Sequence, residues 1–81
     1  FISNNKLSSL KGIELIPNLE VIDIKGNQLE DISDLKDLKQ LKFIWASYDS
    51  IPEKYHHFLD KYGDIEDKEN VEKLQLFLKA E

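Results

Sequence analysis

Residues 19–29 read LEVIDIKGNQL. Their apolar side chains are neither evenly alternating nor a helical turn apart: Leu19 is followed by Ile22 and Ile24, and Asn27 stands just before Leu29. Ile22 and Ile24 lie two apart, so in a short strand both face one side while Val21, Asp23 and Lys25 face the other. Asn27 then falls where the chain leaves the strand. Its side-chain amide both donates and accepts, so it can hold the backbone of the bend.

The stretch recurs. Residues 7–28 (LSSLKGIELIPNLEVIDIKGNQ) and 29–50 (LEDISDLKDLKQLKFIWASYDS) superpose at a shift of 22. Leu7, Leu10, Ile13, Ile16, Leu19, Ile22 and Ile24 answer to Leu29, Ile32, Leu35, Leu38, Leu41, Ile44 and Ala46, while the residues between them vary freely. Upstream, Ile2 and Asn5 match Ile24 and Asn27, which predicts a third unit cut by the start of the sequence. The spacing of Leu29, Ile32, Leu35 and Leu38 predicts tight, 3-10-like turns between strands. Parallel strands of successive units would stack about 4.8 Å apart. Asn5, Asn27 and Asp49 occupy one place in successive units and form a structural ladder. An ionised Asp49 accepts but does not donate, which suits the ladder's end.

LEVIDIKGNQL fits the pattern L-x-x-L-x-L-x-x-N-x-L and so resembles the leucine-rich repeat family. The period of 22 resembles the class found in bacterial internalins and protein-phosphatase regulatory subunits. The resemblance covers residues 1–51, and the last unit departs from it at Ala46 and Asp49. It implies an α/β fold: a right-handed solenoid of short parallel strands with 3-10-like convex turns. It also implies that outward strand residues line a concave surface that binds a protein partner. By register the concave columns are Val21 with Phe43, then Phe1, Asp23 and Trp45, then Ser3, Lys25 and Ser47, with Tyr48 at the rim. Trp and Tyr are favoured anchors of binding energy, and Asp23 and Lys25 add polar selectivity beside them.

After Ile51 the register fails, because Lys54 and His57 fall where leucines are due. Pro52 suits a helix entry, Tyr55, Phe58, Leu59 and Tyr62 lie at helical spacing, and Gly63 can end that helix. DIEDKEN then reads as a polar link in which Asp64 or Asp67 can cap a second helix over about residues 68–80, with Val71, Leu74, Phe77 and Leu78 as its stripe. Residues 52–81 thus read as a two-helix C-terminal cap on the repeats of 1–51, the usual cover for an open repeat end. Ala46, small at the last inward position, leaves room for a ring from Tyr55 or Phe58.

The 81-residue chain is long enough for one core. It carries a net charge of −5 with acids in excess in both halves, six lysines against eight acids over 1–51 and five against eight over 52–81. With no basic stripe, nucleic acid is not the expected ligand, and a basic partner is electrostatically more comfortable than an acidic one. No apolar run reaches the roughly 18 residues of a membrane span. The absence of cysteine excludes disulfides and thiolate sites and suits a reducing compartment, which favours the cytoplasm over the cell surface. The chain also lacks methionine and opens on FISNNKL, which predicts a piece of a longer protein whose Phe1 edge is prone to self-association.

No cofactor or metal is expected. His56 and His57 are adjacent and diverge on a helix, and Glu30/Asp31 and Glu66/Asp67 have no opposing carboxylate assigned by the pattern. No phosphate loop or nucleophile motif appears, so no enzyme is read from these residues. Two functional readings remain. The first is a protein-binding module presenting Phe43, Trp45 and Tyr48 around Asp23 and Lys25. The second is a purely structural end piece whose aromatics are covered by the tail. The end piece would belong to a larger repeat protein, as the targeting arm of an enzyme or as an inhibitor or immunity protein.

Overall fold

A computed structural model describes residues 2–3 and 10–81, the first pair by backbone alone. Four short strands, β1 (Ile2–Ser3), β2 (Val21–Asp23), β3 (Phe43–Trp45) and β4 (Asp64–Ile65), form one sheet in that order. The 3-10 turns Ile13–Leu15 and Ser33–Asp37 lie on the connections between the first three strands. β1, β2 and β3 run parallel, and β4 runs antiparallel to β3. The helix α1 (Lys68–Lys79) closes the chain.

The spacing of LEVIDIKGNQL produces the strand anticipated for it. Ile22 and Ile24 are fully buried, and Val21 and Asp23 on the other face are half-buried. β2 and β3 keep the repeat period, Ile22 pairing with Ile44, an offset of 22. β1 does not. It pairs Ile2 with Ile22 and Ser3 with Asp23, an offset of 20, so the row across the sheet is Ser3, Asp23, Trp45 rather than Phe1, Asp23, Trp45. A shift by two keeps the alternation of faces in phase. Leu7, Asn5 and Phe1 lie outside the described residues.

The core runs through both parts of the chain, from Leu10 and Ile13 to Val71, Leu74 and Leu78. One repeat position departs from expectation: Ile16 is 44% exposed, whereas its counterpart Leu38 is 2% exposed. The difference follows the neighbour. α1 packs against the Ser33–Asp37 turn, and Gln75 of α1 reaches the Leu38 carbonyl.

The tail differs from the expected pair of α-helices in its first half. A 3-10 segment spans Glu53–Phe58 and stops at Leu59, which turns extended. Tyr55 is buried, Phe58 and Leu59 pack partly against the core, and Tyr62 is 69% exposed. The cause is Asp60. Its carboxylate oxygen Oδ1 accepts from Tyr62 N (2.9 Å) and Asp64 N (3.1 Å), a local turn that competes with helix continuation. Gly63 completes that turn at φ +83°, and a Cβ there would stand 2.9 Å from Ser47 Cα. The polar stretch beginning at Asp64 therefore opens as strand β4. The second half of the tail matches its pattern except at Phe77, which is exposed: Asp67 caps α1 by accepting from Asn70 N at 2.8 Å, and Val71, Leu74 and Leu78 are buried. Each such burial contributes about 1.5–3 kcal/mol.

Gln75 was not foreseen in the buried stripe. Its amide Nε2 donates to Leu35 O and Leu38 O, both at 2.9 Å. Lys68 Nζ donates to Lys39 O and Leu41 O. Together they satisfy four carbonyls of the last repeat's turn.

Candidate protein-binding surface

The sheet has an inward face, carrying Ile22, Ile44 and Ile65, and an outward face. Register places Val21 beside Phe43, and Asp23, Trp45 and Asp64 in one row across β2, β3 and β4. Phe43 and Trp45 are half-buried. The tail extends the sheet beside them through β4. Lys25, just past β2, is exposed, and its Nζ lies 3.7 Å from Asp64 Oδ1. Asp23 Oδ1 accepts from Lys25 N at 3.0 Å, a short-range turn bond that fixes the carboxylate at the strand's end.

The remaining sequence-derived candidates are engaged within the molecule. Ser47 Oγ donates to Asp49 Oδ1 at 2.7 Å and lies 2.8 Å from Ser50 Oγ. Tyr48 is 43% exposed, yet its hydroxyl donates to Asp60 O and its ring meets His56 edge-on at 5.1 Å. It is a strut between the Glu53–Phe58 segment and the turn into β4. Of the asparagine positions, Asn27 is buried and its Nδ2 donates to Ile24 O at 2.8 Å. Asp49 is exposed, and Ser50 takes the buried place at that bend. Asn5 lies outside the described residues.

Asp64 is the residue that sequence reasoning missed. It is 7% exposed, and among the described residues its Oδ1 accepts no hydrogen bond. The signal available was faint: an isoleucine following it in an otherwise polar run, just after a glycine, which gives one outward and one inward position of a two-residue strand. Among the described residues no group of His, Cys, Asp or Glu is arranged to hold a metal ion. No described helix is long and apolar enough to cross a membrane.

Residues 1–37 match the family model described as Leucine Rich repeats (2 copies). That stretch is similar to leucine-rich repeats, and repeats of this family generally mediate protein–protein interaction and are typically not enzymatic. No curated protein and no solved structure matches it.

Proposed function

We propose that this chain binds a protein partner through the outward sheet face, with Phe43 and Trp45 as anchors and Val21, Asp23 and Lys25 around them. The observation that supports this most directly is the placement of two half-buried aromatics on one outward strand face, flanked by β4. Ser47 and Tyr48 belong to the rim of that surface and support it through their internal bonds. The face is the concave surface of a short right-handed solenoid of the 22-residue class, and residues 1–51 supply its repeats. The reading is tested by capture: Trp45→Ala should lose a partner that the wild-type chain retains, by about 2 kcal/mol or more if Trp45 is an anchor. Far-UV circular dichroism must show the same fold. An unchanged capture profile places the surface elsewhere.

A second reading has its own support. Residues 52–81 act as the closing element of the array, because β4 takes the far edge of β3 and side chains of α1 take the carbonyls of the last turn. An occupied edge leaves no ladder for another parallel strand. If closure were their only role, Trp45 would be shielded from collisional quenchers such as acrylamide. Ready quenching favours the binding surface. Self-association through the Phe1 edge remains part of the proposal, and light scattering over a concentration series reads it.

A further inference from the structure

Asp64 holds a buried carboxylate that the molecule itself serves poorly. Burial of an ionised carboxylate is costly unless hydrogen bonds and an opposing charge offset it. Oδ1 of Asp64 accepts no hydrogen bond among the described residues, and the cation paired with it, Lys25 Nζ, stands 3.7 Å away, outside hydrogen-bonding reach. Lys25 is itself 46% exposed, so its ammonium remains largely in water. The pairing register puts this carboxylate directly across from Trp45, with Asp23 on the opposite flank of the same residue. Adjacent strands lie about 4.8 Å apart, so the two carboxylates bracket the indole within roughly 10 Å.

A row of carboxylate, indole and carboxylate has a definite chemical complement. A guanidinium can lie over the indole face while its N–H groups reach a flanking carboxylate, combining a cation–π contact with charge-assisted hydrogen bonds. An ammonium offers the same charge with less planar contact. The nearby groove of about 540 Å³ lined by Asp60, Asp64, Glu66 and Asp67 is a weaker candidate. Asp60 already serves the turn into β4, and both oxygens of Asp67 accept from Asn70. We propose that the Asp23–Trp45–Asp64 row seats a basic side chain, arginine above lysine, of the protein partner, and that Lys25 is the internal cation it displaces. This rests on the sheet face being the binding surface, and the net charge of −5 favours the same class of partner.

The test selects a phage-displayed library of random dodecapeptides on the immobilised chain, then titrates the selected peptides against Trp45 fluorescence, the chain's single tryptophan. The expected result is a shared Arg or Lys, a change in Trp45 emission, and affinity that falls with added salt. Asp64→Asn should weaken these peptides about thirtyfold or more, a loss of the order seen for one buried partner of a charge pair. Asp23→Asn, at a more exposed site, should weaken them about threefold, and Lys25→Gln should strengthen them about twofold by removing the competitor. Should Asp64→Asn unfold, the other two variants decide. Peptides that change Trp45 emission without a shared basic residue, or that ignore all three substitutions, overturn this inference and leave the sheet face standing as a binding surface. Peptides that leave Trp45 emission unchanged overturn both.

Discussion

Replacing Gln75 by leucine removes two hydrogen bonds and changes little else in volume. Gln75 Nε2 donates to Leu35 O and Leu38 O at 2.9 Å, from a helix position that is 8% exposed. Neither carbonyl is orphaned by the change. Leu35 O still accepts from Leu38 N at 3.3 Å, and Leu38 O from Leu41 N at 3.2 Å. The loss is therefore the net worth of two neutral hydrogen bonds, about 1 kcal/mol each, partly offset by a more apolar side chain. A net cost of about 1–2 kcal/mol lowers Tm by about 5–15 °C in a domain this small. Gln75→Ala should cost about 1 kcal/mol more through lost packing. Gln75→Glu points an acceptor at two carbonyls and should be the worst of the three at neutral pH. It should recover partly as the solution is acidified, because burial raises the pKa of the carboxyl and its protonated form can donate. Guanidinium unfolding followed by Trp45 fluorescence and far-UV circular dichroism measures all three. If Gln75→Leu matches or exceeds the wild type, and Gln75→Glu shows no recovery in acid, packing alone seats α1 and the reasoning fails.

Other substitutions probe the tail and the last strand. Gly63→Ala places a Cβ 2.9 Å from Ser47 Cα at φ +83°, so a loss of about 2 kcal/mol or more is expected in thermal unfolding. Ala46→Leu overfills a fully buried position and should cost about 1–3 kcal/mol, again read by denaturant midpoint. Glu81 accepts from Tyr55 Oη at 2.7 Å and pairs with Lys54 Nζ at 2.7 Å, and these bonds, Lys54's first, hold its carboxyl below the ordinary value of 4.5. A lowered native pKa stabilises above the unfolded value and fades as pH falls through the native one. Wild type should therefore exceed Glu81→Gln in Tm at pH 7, and the two should converge as the solution is acidified below pH 4.5.

The legible part of the fold was the part set by local spacing. Ile22, Ile24, Leu35, Leu41 and Ile44 are buried because each unit repeats the same covalent distances, so the period alone assigns their faces. α1 was legible for the same reason, with Val71, Leu74 and Leu78 on one stripe and Asp67 at its start. Helical spacing over Tyr55, Phe58 and Tyr62 misled, because a single carboxylate at Asp60 captures two backbone N–H groups and turns the chain. Periodicity describes which side chains would share a face if the backbone continued. It does not weigh the local bonds that decide whether it does. Ile16 shows the same limit from the other side: its position in the period is as good as that of Leu38, yet α1 covers only the later turn.

How the repeat ends also explains why the candidate site was hard to read. Each strand and turn can be continued by another unit of the same kind, and the breaks at Ala46 and Asp49 mark in sequence where that continuation stops. The means of stopping are not local. Carbonyls of the last turn receive Gln75 and Lys68 from a helix about thirty to forty residues later, and the edge of β3 receives an antiparallel strand. That strand carries Ile65 inward to the core and, by the alternation of strand faces, Asp64 outward beside Trp45. The same two residues thus close the sheet edge and complete the charged row on its outer face. A change that loosens β4, such as Gly63→Ala in the turn before it, should disturb the environment of Trp45 on the neighbouring strand.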